Sequence, residues 1–190
     1  MNNLSFIIGR KIRLFIYILK IPYFYSLDYI LQFLKFSSWI KKNKHQFKKV
    51  FKERSDLYKF INKKIIKNKT ITYLEFGVAN GDSFKEWLHF NSNKKSIFFG
   101  FDTFTGLPEN YVNPFYSLSK GNFTQNGKTP KLKDKRHKFY KGLIQKTLPI
   151  FLKKFKRPNY LIVNIDVDLY SATLFILCNL KDEEVKRITF

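Results

Sequence analysis

From residue 70 onward, short apolar runs alternate with stretches of helical periodicity. Residues 70–76, 96–101, 137–141, 160–165 and 187–190 are rich in branched or aromatic side chains, which suit a pleated, half-buried surface. Between them, 82–91, 147–156 and 169–181 read as helices. Strands that alternate with helices close into βαβ units, whose crossovers make the strands parallel and place helices over the sheet. The expected fold is therefore α/β: a Rossmann-like, doubly wound parallel sheet with helices on both faces. It would occupy residues 70–190, preceded by a helical, basic extension over residues 1–69. The span 103–136 breaks the alternation with Gly106, Pro108, Pro114, Gly121, Gly127 and Pro130. A loop of this length is expected to be a functional lid or disordered.

Composition narrows the function classes. The 190 residues carry 36 Lys+Arg against 14 Asp+Glu, a net charge of +22, yet 44% of them are hydrophobic and 18% aromatic. Disorder requires charge with few aromatic and branched residues, so this chain folds. Residues 1–70 hold 17 basic and three acidic residues, while residues 71–190 hold 19 and 11. The charge is concentrated at the front. Two readings of it stand: an anionic partner, or the Lys, Asn, Ile and Phe bias of A/T-rich coding DNA. Only six of the basic residues are arginine, the residue that bidentate phosphate and base recognition favours, which argues against nucleic acid.

The first forty residues contain apolar stretches interrupted by charge, with no uninterrupted run long enough for a spanning helix and no small-residue cleavage site. They read either as a helix packed on its own domain or as a segment lying on an anionic membrane surface. The location expected is cytoplasmic, with or without peripheral membrane contact. Residues 45–68 read as an amphipathic helix with Phe47, Val50, Phe51, Leu57, Tyr58, Ile61 and Ile65 on one stripe and lysines on the others. The single cysteine, Cys178, excludes an intramolecular disulfide and reads as a small apolar filler on a helix. His45, His89 and His137 read as surface residues.

The stretch Thr72-Tyr73-Leu74-Glu75-Phe76-Gly77-Val78-Ala79-Asn80-Gly81-Asp82-Ser83 carries the most chemistry. A strand runs into a turn with glycines four apart, and a helix follows at once, with Ser83 and Glu86 at capping-box spacing. A nucleotide-like cofactor would lie across this strand end, the ligand-binding edge of an open α/β sheet. Gly-x-x-x-Gly lacks the third glycine of the dinucleotide fingerprint, and no Gly-Lys-Ser/Thr follows, so NAD and a P-loop are both disfavoured. Twenty-one residues beyond Gly81, the second strand ends in Asp102, where a carboxylate would accept the ribose hydroxyls of a cofactor.

These residues resemble a known family. Glu75 to Gly81 is similar to motif I of class I S-adenosylmethionine-dependent methyltransferases. Phe101-Asp102-Thr103-Phe104-Thr105-Gly106-Leu107-Pro108 resembles a segment of the macrocin O-methyltransferase-like family, and residues 140–149 and 165–173 follow in the same order. The resemblance implies S-adenosylmethionine as cofactor, with Glu75, Gly77, Val78, Ala79, Asn80, Gly81 and Ser83 around its methionine part. It implies Asp102 on the ribose, with Thr103 and Phe104 near the adenosine. It also implies O-methylation of a hydroxyl on a small molecule or sugar.

Asp166 and Asp168 follow the apolar run Leu161-Ile162-Val163 and share a face at the end of the fourth strand. Two neighbouring carboxylates call for a cation or proton between them, and oxygen ligands suit Mg2+. By the resemblance, Asp166 is metal ligand or catalytic base. Asp168 is a second ligand or the cap of the following helix. Family members continue into a fifth strand ending in an acidic pair, whereas this chain ends at Arg187-Ile188-Thr189-Phe190. The C-terminal strands are therefore expected to be missing, leaving an open edge that favours pairing with another chain, a homo-oligomer among the outcomes. Two alternatives to the enzyme accompany this reading: a truncated remnant that at most binds cofactor, and a basic module for membrane or RNA surfaces.

Overall fold

The structure is a computed structural model that describes residues 25–43, 49–112, 117–156 and 158–181. The chain divides between Lys48 and Lys49 into two units. In the first, helix α1 spans Tyr25–Lys42. The second contains α2 (Arg54–Phe60), β1 (Thr72–Phe76), α3 (Asp82–Phe90), β2 (Ile97–Asp102), β3 (Tyr111–Val112), β4 (Ser117–Leu118), β5 (His137–Lys141), α4 (Ile144–Leu152), β6 (Leu161–Ile165) and α5 (Tyr170–Lys181).

Four strands form one sheet in the order β5-β2-β1-β6, and every neighbouring pair is parallel. Alternation along the strands separates two apolar layers. On one face, Tyr73 and Phe98 meet Phe84 and Trp87 of α3 together with Tyr58 and Ile61. On the other, Leu74, Phe76, Phe101 and Val163 meet Leu148 and Phe151 of α4 and Ile176 and Leu180 of α5. This is the expected Rossmann-like sheet with helices on both faces. The expected strand at 187–190 lies outside the described residues.

The amphipathic segment departs from its expected form. α2 begins at Arg54 after non-helical residues 49–53, while residues 45–48 of the expected helix lie outside the described residues; α2 continues as a π-helical stretch over Ile61–Ile66 that ends with Lys67 in the left-handed region, φ 55°. A π turn closes over five residues and so shifts the buried face. Ile61 and Ile66, five apart, are both buried, while Ile65 at the ordinary helical spacing is 47% exposed and Val50 is 82% exposed. Asn62 pins this stretch to the end of α3: its Nδ2 donates to Phe90 O at 2.6 Å, and its Oδ1 accepts from Asn91 Nδ2 at 2.9 Å. Residues 54–66 thus belong to the same unit as the sheet.

Two further details differ. α4 starts three residues before the expected position, because Ile144 and Leu148 are both drawn into the core, and it holds Pro149 in its interior at the loss of one backbone bond. Cys178 is exposed on α5 and fills no core space. Outside residues 113–116, the 103–136 span is fixed by its own backbone. Leu107 and Asn122 are joined, Gln125 and Gly127 both donate to Phe104 O, and β3 and β4 pair as a short antiparallel ribbon.

Candidate functional site

The sheet changes winding direction between β1 and β6, and a crevice opens at the carboxyl ends of these strands. The end of β1 is tied to both neighbours: Asp166 N, after β6, donates to Phe76 O at 2.8 Å, and Gly77 N donates to Phe101 O of β2 at 2.9 Å. Gly77 has φ +85°, and a Cβ on it would lie 2.1 Å from Asp166 O. Only glycine allows the chain to leave β1 this close to β6. A cavity of about 760 Å³ lies over this point, within the range of small-molecule sites.

Gly77, Val78, Ala79, Asn80 and Ser83 line the cavity, as do Asp102, Thr103, Asp166 and Asp168. Asp102 is also the organiser of the turn. Its Oδ2 accepts the amides of Val78 and Ala79 at 2.7 and 2.8 Å, and its Oδ1 accepts that of Phe104 at 2.7 Å. A carboxylate has about four acceptor positions, so capacity for a ligand hydroxyl remains. Ala79, held by this bond at φ 46°, sits in a region that non-glycine residues seldom occupy.

Three expected ligand-contacting residues have other places. Glu75 is fully buried beneath the turn and does not line the cavity. It accepts hydrogen bonds from Tyr73 Oη and, at 2.8 Å, from Ser83 Oγ. Burial raises its pKa to about 7, even though the bonds from Tyr73 and Ser83 favour the charged form. Because the Ser83 hydroxyl is committed to Glu75, the expected capping box is not formed; Gly81, at φ 80°, is the N-cap of α3. Gly81 lies beside the cavity without lining it. Phe104 is fully buried in the core against Phe139 and forms no wall of the site.

The carboxylate pair after β6 has a partner that sequence spacing does not reveal. Arg54 Nη1, at the start of α2, donates to Asp166 Oδ2 at 2.6 Å. Among the described residues no cation pairs with Asp168, and its pKa is raised first by burial and then by the neighbouring Asp166. Among the described residues, no group of three or more His, Cys, Asp or Glu is gathered to hold a metal ion. With Asp166 engaged by a guanidinium, Asp166 and Asp168 by themselves do not make up the donor set that the expected Mg2+ site calls for among the described residues. None of the described histidines lines the cavity; His137 Nδ1 lies 2.5 Å from Asp134 O, and His45 lies outside the described residues.

The cavity draws on two stretches that the motifs did not single out as site residues. One is the entry to α2, with Lys52, Arg54 and Tyr58; the other is the start of α4, with Leu143 and Gln145. Arg54 is hidden in a lysine-rich run whose charge reads as a solvated face. Its single signal was being an arginine where lysine dominates. The charge of the lining is opposite to that of the chain. Glu53, Asp82, Glu86, Asp102, Asp166 and Asp168 face Lys52 and Arg54, in a protein whose net charge is +22.

No protein-family model matches the chain, and no curated protein matches it significantly. Among solved structures it is similar to the O-methyltransferase NovP, with a TM-score of 0.47 and 21% identity over 68% of this chain. The match covers 59% of that protein's chain, less than two thirds of its length.

Proposed function

We propose that this protein binds S-adenosylmethionine and transfers its methyl group to a hydroxyl of a small molecule or sugar. The observation that carries the reading is the turn from Gly77 to Gly81 at the switch point of the sheet, braced by Asp102 and opening on an acidic cavity. The turn and the remaining acceptor capacity of Asp102 suit the methionine and ribose parts. The excess of carboxylates suits a ligand that carries a sulfonium and an ammonium group. When bound, S-adenosylmethionine supplies an electrophilic methyl group that an oxygen nucleophile can attack in line.

The chain's own residues would position and deprotonate the acceptor. Asp166 and Asp168 are the carboxylates at the carboxyl end of β6 that could take the hydroxyl proton, and Arg54 fixes the orientation of Asp166. The hydroxyl acceptor follows from the resemblance of residues 101–108, 140–149 and 165–173 to the macrocin O-methyltransferase-like family.

Calorimetric titration with S-adenosylmethionine tests the cofactor. Binding is expected in the wild-type chain and a loss of at least about tenfold in Asp102→Ala, which removes an acceptor from three backbone amides as well as from the ligand. Absence of heat from the folded wild-type protein, or equal binding by the variant, would sink the proposal. For the chemistry, Asp166→Asn and Asp168→Asn should each lower methyl transfer while leaving cofactor binding within a few fold.

A further inference from the structure

We infer that α1 is an interfacial helix that docks the protein on an anionic lipid surface, with its apolar side chains in the acyl–headgroup boundary. Six large apolar side chains within ten residues, Ile30, Leu31, Phe33, Leu34, Phe36 and Trp39, are each between 47% and 59% exposed. Elsewhere in the described chain, large exposed apolar residues are scattered, with no comparable concentration. Such a concentration on one helix marks an interaction surface. Phe33, Phe36 and Trp39 follow one another at helical spacing, and the rings of Phe36 and Trp39 stack with centroids 6.1 Å apart.

The pattern selects lipid over a protein groove. A partner helix reads a narrow seam at heptad spacing. Here Ile30 and Leu31, like Phe33 and Leu34, are adjacent pairs, and adjacent residues point about 100° apart around a helix. The six apolar residues are therefore spread around the helix instead of lining one seam, which a continuous apolar medium can accommodate. Lys35 and Lys42, seven residues apart, lie along one line of the helix between Leu31 and Trp39, and Lys41 and Lys42 close the last turn. Over residues 1–48 the sequence has nine basic residues and one acidic residue, Asp28. That charge complements anionic headgroups, and the aromatic residues suit the interfacial zone. No helix among the described residues is long and apolar enough to cross a membrane, so α1 would lie on the surface.

Sedimentation of the full chain with vesicles of equimolar phosphatidylcholine and phosphatidylglycerol tests this, with pure phosphatidylcholine vesicles for comparison. Binding is expected to the anionic vesicles, at least about tenfold tighter than to neutral ones, and to weaken as salt is raised. The triple variant Lys35→Glu/Lys41→Glu/Lys42→Glu should lose about tenfold or more. Phe33→Ser/Phe36→Ser should abolish sedimentation while its thermal melt matches the wild type. The two tryptophans supply a second readout: Trp39 is 53% exposed and Trp87 only 1%. Emission should shift to the blue on vesicles, and the shift should vanish in Trp39→Phe. Equal binding to neutral vesicles, no binding by the folded chain, or binding that survives Phe33→Ser/Phe36→Ser would overturn the inference. So would self-association that those substitutions abolish, since a second copy would then cover the face.

Discussion

Gly77 and Glu75 set the terms of the site at the scale of single residues. Gly77 combines a positive φ with a close approach to Asp166 O, whereas Gly121 has a similar φ of +89° and nothing within 4 Å of where a Cβ would be. Comparing the two alanine variants separates conformation from crowding. Gly121→Ala should cost about 1 kcal/mol, the conformational part alone, and Gly77→Ala at least about 3 kcal/mol in chemical denaturation. Equal costs would refute the close approach. Glu75 makes a claim about pH. Its folded pKa, about 7, stands above the reference of 4.5, so between these values the folded state holds a proton that the unfolded state has released. This part of the stability is fully present below pH 4.5 and declines as pH rises to about 7. The full decline is on the order of 3 kcal/mol. Glu75→Gln, which cannot titrate, should flatten that part of the profile when its denaturation is compared with wild type across the window.

At the level of elements, the carboxyl ends of strands and helices are held by side chains distant in sequence. Arg136, just before β5, closes the end of α3. Its Nη1 donates to Asn91 O and Asn93 O at 2.7 and 2.8 Å, its Nη2 donates to Leu88 O at 2.8 Å, and its guanidinium lies over Phe98. Asp134 aligns the guanidinium through both carboxylate oxygens and has its own pKa lowered chiefly by that bond. Arg136→Ala would leave three carbonyls at and just beyond the end of α3 without this donor and should cost about 2–3 kcal/mol. Arg136→Lys should recover only part of it, because one ammonium cannot reproduce the planar fork. By contrast, the Arg54–Asp166 pair is exposed, at 67% and 48% of the two side chains, so Arg54→Ala should change the denaturation midpoint little, by less than about 1 kcal/mol.

Across the whole molecule, the sign of the charge inverts between the chain and its cavity. A chain of net +22 presents six carboxylates and two cations around the crevice. If the cavity is built for a cation, S-adenosylmethionine should bind a few fold tighter than S-adenosylhomocysteine, which lacks the sulfonium charge. The preference should narrow as ionic strength is raised, because the cavity is open to screening. Titration of both ligands at low and high salt checks this; a preference that salt leaves unchanged would point to shape instead of charge.

The local order of residues was enough for the sheet and for the glycine turn. Alternating apolar runs declare β1, β2, β5 and β6, and the spacing from Gly81 to Asp102 declares the edge on which the crevice opens, because both depend on neighbours within one βαβ unit. Tertiary packing decided the rest. The π-helical register of residues 61–66 follows from burying Ile66 and Asn62 against α3, which no count along the chain can foresee. Glu75 and Phe104 went into the interior because the faces they occupy are covered by α3 and by the 103–136 segment. Arg54 reaches Asp166 across 112 residues. Such a contact depends on how two distant segments fold back on one crevice, and a motif confined to either segment cannot contain it.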